Sequence, residues 1–333
     1  MIRRAAGPLI LAIVAAAQTA IACAPAPHAG EDVDIVEESA VIEWDPATKT
    51  EHFIRRATFK GTARDFGFLV PTPTVPTLTE ASDTIFTTLA DKTMRRTVQT
   101  TSRRVEFTPL LMLYFGVRKG VETTAGRPPV EVLSVQKLAG YEASVLDATD
   151  AAALQKWLAD HGYAATPDLT AWLDAYVKKG WKITAFKVDK SQNETAQTAA
   201  VKMSFTTDRP FFPYREPASQ KDLPYDAVRS LRIFFIGPER VAGTIGDGTF
   251  WPGVLTWSNS YDSPAKRLTT FVDTSRIRSG DDELYFDRDK DQSAYELPPI
   301  VNETVKKTYV PADVVAVLLA AGAFVFIRRR RRG

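Results

Sequence analysis

Residues 141–189 read YEASVLDATDAAALQKWLADHGYAATPDLTAWLDAYVKKGWKITAFKVD, and the changes of period within them decide the fold class. Tyr141–Leu146 alternates polar and apolar residues, the two-residue period of a strand. Asp147 or Asp150 can then cap a helix running to about His161, with Gly162 as its stop. Its Leu154, Trp157 and Leu158 share one helical face. Thr166-Pro167-Asp168 supplies a second cap, a proline where its missing N–H costs nothing, and an acid favourable to the helix dipole. On this second helix Leu169, Trp172, Leu173, Tyr176 and Val177 form one apolar stripe, and Gly180 ends it. From Trp181 the two-residue period returns. A helical hairpin inserted between strands predicts an α+β fold, mostly antiparallel β.

The flanking sequence supplies those strands. Val130–Leu138 alternates just upstream. Further back, DIVEESAVIEWD and TEHFIRRATFKG enclose an Asp45-Pro46-Ala47-Thr48 turn and predict a hairpin. ARDFGFLVPTPTVPTL is an apolar run that should leave its sheet at Pro71, Pro73 and Pro76, since proline has no ladder donor. Asp83–Thr93 reads as one short helix. Residues 95–127 read as basic and irregular except for the apolar patch Leu110–Val117. Downstream, TAAVKMSFTTD, SLRIFFIGPERV and RLTTFVDTS read as strands, and Gly243–Asn259, with its Gly243–Gly248 cluster, as a connecting loop.

The two ends carry a topology. MIRR followed by the apolar run Ala5–Ala22 and the small-residue site Ala20-Ile21-Ala22 has the parts of a secretory signal peptide, residues 1–22. The competing reading is a retained anchor. Cys23 directly after the cut resembles a lipoprotein acceptor, although the third position before it is Ala where Leu is usual; ordinary signal peptidase cleavage is the alternative. Cys23–Gly30 reads as a Pro/Ala-rich tether. At the other end, Val314–Ile327 carries no charge and five arginines, Arg328 to Arg332, follow. Fourteen helical residues span about 21 Å against a hydrocarbon core of roughly 30 Å. Extension to Ala312, bilayer thinning and arginine snorkelling reduce the difference. The expectation is a single-pass C-terminal helix over 310–327, with Val314, Leu318, Leu319, Phe324 and Phe326 in the membrane and Arg328 and Arg329 opening a cytoplasmic tail, 328–333. Residues 23–309 would then form an extracytoplasmic body at the cell membrane. The alternatives are a buried core helix, or a C-terminal sorting signal that is cleaved.

Charge narrows the partners. Setting aside Arg3, Arg4 and the five terminal arginines leaves 35 basic against 40 acidic residues, a body charge of about −5. That argues against a nucleic-acid partner, which calls for a basic face. Cys23 is the one cysteine, so the body holds no internal disulfide.

Taken in order, IEWD (42–45), DFGFLVPTPTVP (65–76), GYEASVLDATDAAALQKWLADHGY (140–163), AYVKKGWKITAFKV (175–188) and MSFTTDRPFFPYREP (203–217) resemble the bacterial domain-of-unknown-function family 2330. The resemblance spans roughly Ile35 to Pro217. It implies an exported, often membrane-anchored protein and supplies no activity or catalytic residue.

Chemical motifs are sparse. His28, His52 and His161 lack transition-metal spacing, and no nucleophile elbow, phosphate loop or dinucleotide fingerprint occurs. His161 reads as a helix C-cap. Asp287, Asp289 and Asp291 alternate as at the start of a calcium loop, but Gln292 stands where glycine is needed and Pro298 where glutamate is needed. A solvated acidic loop is the alternative, and no other cofactor is expected. Phe211, Phe212, Tyr214, Trp251 and Trp257 could line a groove for sugar or peptide, or belong to the core. The expectation is a non-catalytic binding or structural module of the envelope, with the membrane and a protein or glycan as partners. The alternatives are an envelope hydrolase with dispersed residues and a surface protein released by processing.

Overall fold

The computed structural model describes residues 24–331 except 29–30, 32, 64, 109–140, 149, 162, 164–165, 190–194, 218–228, 276–277 and 279. The leader 1–22, Cys23, the apolar patch 110–117 and the strand-like run 130–138 lie outside the described residues. The chain divides into two compact units, one of residues up to Met94 with Gln136–Leu297, the other of Arg95–Val135 with residues from Pro298 on.

The first unit holds three sheets. One has the order β1 (Ala24–Pro27), β4 (Asp65–Thr72), β8 (Lys182–Asp189), β7 (Tyr141–Leu146), all antiparallel. The largest has the order β18 (Tyr295–Glu296), β15 (Val254–Tyr261), β16 (Ser263–Asp273), β12 (Ser230–Gly237), β2 (Val33–Asp45), β3 (Thr50–Gly61), β10 (Val201–Thr206), β5 (Thr77–Glu80), with β9 (Thr195–Gln197) also on β3. The third runs β11 (Phe211–Phe212), β17 (Leu284–Arg288), β13 (Val241–Ile245), β14 (Thr249–Phe250).

Alternation along the strands sorts side chains into layers. On β4 and β8, Phe66, Phe68, Val70, Phe186 and Val188 enter the main core, where they meet Phe53 and Phe59 of β3 and Ile233 and Phe235 of β12. The opposite residues of the same strands, Leu69, Ile183 and Ala185, meet the predicted hairpin, α2 (Ala151–Asp160) and α3 (Pro167–Lys178). The large sheet is covered on its other face too. Val41, Ile54, Phe234 and Ile236 pack with Phe86 and Leu89 of α1 (Thr84–Thr93). Strands buried on both faces lose their alternation, which is why β12 reads as the run Ile-Phe-Phe-Ile.

The caps follow the local rules. Asp150 accepts from the Ala153 N–H at 2.6 Å and Thr166 from the Leu169 N–H at 3.2 Å. Gly180 takes φ 71°, a left-handed stop that other residues resist. The His161 ring stacks on Trp157 and its Nδ1 lies 2.7 Å from the Trp157 carbonyl oxygen.

Several expectations need correcting. The tether Ala24–Pro27 is a strand, paired with Phe66–Leu69. β4 runs through Pro71 to Thr72; β1 ends its pairing at Leu69, so β4 is an edge on one side there, where a proline is tolerated. Gly243 lies in β13 and Val254–Tyr261 is a strand, so the expected loop is mostly sheet. Within the basic stretch, Thr97–Thr108 is strand β6. Two pairings are parallel, β2 with β12 and β6 with β19 (Ile300–Pro311). A two-residue period reports which face is buried and carries no strand direction.

The second unit consists, in its described part, of that β6–β19 ribbon and the helix α4 (Ala312–Arg330). Two strands without a core are marginal in water. The described side chains of α4, Val317 to Arg330, are all exposed. Among the described residues no helix is both long and apolar enough to cross a membrane.

Candidate functional site

Three proline-bearing turns and one strand end meet in the first unit: Trp44-Asp45-Pro46, Asp208-Arg209-Pro210, Gly237-Pro238-Glu239, and Phe286–Arg288 of β17. The β2–β3 turn is held by its own Asp45, which accepts from the Ala47 N–H at 2.9 Å and the Thr48 hydroxyl at 2.8 Å. These hydrogen bonds hold its carboxyl below the usual carboxylate range. Between the turns lies a cleft of about 350 Å³, within the range of small-molecule sites. Its floor is apolar, with Phe235 and Phe286 buried and Trp44 half-buried.

The rim is charged and internally paired. Arg209 grips Asp287 through two bonds, Nε to Oδ1 at 3.0 Å and Nη2 to Oδ2 at 2.5 Å, with its guanidinium over the Tyr285 ring. Arg288 Nε lies 2.8 Å from Glu239 Oε2. Lys49 Nζ donates to Asp208 at 2.8 Å, and that bond lowers the Asp208 pKa. Three carboxylates from distant segments thus face three cations.

Behind the cleft wall the segment Phe211–Glu216 threads a buried ionic network. The Phe211 N–H donates to Glu51 at 2.9 Å; Glu51 is wholly buried, and burial raises its carboxyl pKa well above 4.5 against that bond. Tyr214 donates its N–H to Glu283 at 2.9 Å and its hydroxyl to Asp273 at 2.8 Å. Asp273 Oδ2 also accepts the Trp251 indole N–H at 3.1 Å. Burial raises the Asp273 pKa, but Arg278, Ser275 and Tyr214 outweigh it and the net shift is downward. Glu216 joins Arg229 and Arg278, all three buried, yet desolvation still holds its carboxyl above the ordinary value.

The expected sites are placed as follows. Asp287 is on the cleft rim with Arg209, while Asp289 and Asp291 lie 2.8 and 3.2 Å from Arg240. Among the described residues no group of three carboxylate, histidine or cysteine side chains gathers as a metal site. Phe211, Phe212, Tyr214, Trp251 and Trp257 are buried core, which overturns the groove reading for them. Leu318, Leu319, Phe324 and Phe326 are exposed on α4, with Arg328 and Arg329 in its last turn; the side chain of Val314 lies outside the described residues. Apart from Asp287, the charged residues of the cleft escaped the sequence reading. Their only shared signal is a proline turn beside a charge, at Asp45-Pro46, Arg209-Pro210 and Pro238-Glu239.

Sheets packed face to face, an appended helical hairpin and a paired-charge cleft define a mostly β domain. Residues 16–247 match a family model described as an uncharacterized protein conserved in bacteria (DUF2330), and the chain belongs to that family. The match extends past Pro217, where the motif resemblance stopped, into β13. A comparison with curated proteins finds no match.

Proposed function

We propose that this chain is an exported bacterial envelope protein whose first unit is a non-catalytic binding module, held at the cell membrane by α4. The observation that carries the reading is α4 itself. Its side chains from Val317 to Ile327 are apolar or small and exposed around the whole circumference, and arginines close its last turn. A helix apolar on every side needs a non-aqueous environment. Its uncharged stretch Val314–Ile327 makes about 21 Å, and snorkelling arginines with local thinning of the bilayer bring it toward the hydrocarbon thickness. The cleft is then the module's ligand site. Its carboxylates are each engaged by a cation, an arrangement suited to orienting a ligand more than to moving protons.

Fractionation and intact mass of the native protein test this. The expected result is a membrane-bound protein that resists salt and alkaline washing, with the mass of Cys23–Gly333. An added diacylglycerol-sized mass would make Cys23 a second anchor. Recovery of the intact protein in the wash overturns the α4 anchor, and a released chain ending near Pro311 makes the tail a sorting signal.

One observation favours a second reading. Asp208, Glu239 and Asp287 come together from three segments, as the residues of an envelope hydrolase would. Hydrolysis of envelope glycan or peptide that is lost in both Glu239→Gln and Asp287→Asn would establish it.

A further inference from the structure

The cleft's own charge balance narrows its ligand. Asp208, Glu239 and Asp287 are matched by Lys49, Arg288 and Arg209, and each pair is in direct contact. An ionic ligand would meet no unmatched counter-charge among these pairs. A ligand that is neutral but rich in hydroxyls needs none. Each hydroxyl both donates and accepts, and two of the pairs, Arg209–Asp287 and Arg288–Glu239, present a carboxylate beside a guanidinium with N–H groups to spare. Arg209 spends two of its five N–H groups on Asp287. Beside these pairs, Trp44 offers a flat, half-buried apolar face on which the C–H face of a sugar ring can pack.

We propose that the cleft takes a neutral saccharide, with one pyranose ring on Trp44 and its hydroxyls bonded to the Arg209–Asp287 and Arg288–Glu239 pairs. This rests on the binding-module reading and adds the ligand class. Because no ion pair is exchanged, binding is insensitive to salt; a ligand held by net charge would weaken as salt rises.

The test is calorimetry on the full chain in detergent, with cellobiose, maltose and chitobiose as neutral probes and short acidic and basic peptides as competitors. The expected result is binding of at least one disaccharide, unchanged by raised salt. It should weaken about tenfold in Trp44→Ala, the loss of one stacked aromatic contact with its buried area. Arg288→Met, an exposed position, is the second variant should Trp44→Ala fail to fold, and it too should weaken binding. Peptide binding with silent sugars overturns the saccharide inference and leaves the binding module standing. Sugar binding that survives both variants also overturns it. Turnover of a probe overturns the binding-module reading itself, and silence of every probe overturns the saccharide inference.

Discussion

The indole Nε1 of Trp172 donates to the main-chain carbonyl oxygen of Arg215 at 2.9 Å. That bond fastens the helical hairpin to the segment linking the cleft with the buried ionic network. Trp172→Phe keeps the packing on Tyr176 but leaves the Arg215 carbonyl without this donor. The expected loss is about 0.5–1.5 kcal/mol, the net contribution of a part-buried hydrogen bond. Chemical denaturation followed by circular dichroism measures it, and an unchanged midpoint refutes the fastening role.

Glu51 gives the protein a predictable pH dependence. Its folded pKa is raised, so the native state keeps a proton that the unfolded chain releases above about 4.5. The sign follows: this contribution is full below pH 4.5 and is lost as pH rises toward the folded pKa, by up to about 1.4 kcal/mol per pH unit. Glu51→Gln stays neutral and can still accept from Phe211. Stability measured from pH 4.5 to 7 should therefore fall less steeply in the variant than in the wild type.

Glu216 answers two buried arginines, Arg229 and Arg278. Glu216→Gln leaves both undercompensated, at an expected cost of about 3–5 kcal/mol. Pairing it with Arg229→Met should cost less than the sum of the two single changes. A double-mutant cycle reads that coupling, and strict additivity would contradict the shared network.

Trp251 lies against two glycines. A Cβ at Gly253 would come within 2.2 Å of its ring, and one at Gly243 within 2.6 Å. Gly253→Ala must shift the indole and strain its bond to Asp273. The expected loss is about 1–3 kcal/mol, with an altered tryptophan near-ultraviolet signal.

Calcium should leave the melting temperature unchanged, because arginines engage Asp287, Asp289 and Asp291. A rise that grows with calcium concentration would reveal a site.

The hairpin was legible because each of its signals is local. Asp150, Thr166 and Gly180 act within a few residues of themselves, and the stripe Leu169–Tyr176 needs only helical geometry. The β2–β3 turn was legible for the same reason. β6 was not, since its Thr, Gln and Arg residues face water in a ribbon and show no buried alternation. The cleft was invisible because Trp44, Arg209, Glu239 and Asp287 lie scattered along the chain and become neighbours only through the sheet pairings.

By itself the sequence determined the helix caps, the Asp45–Thr48 turn, most strand faces and the family, all written in short-range residue order. The tertiary structure alone decided which strands run parallel, that Phe211, Phe212 and Tyr214 are core, and which carboxylates meet which arginines. The physical reason is range. Capping and period act over a few residues, whereas burial and ion pairing depend on segments brought together when apolar faces leave water.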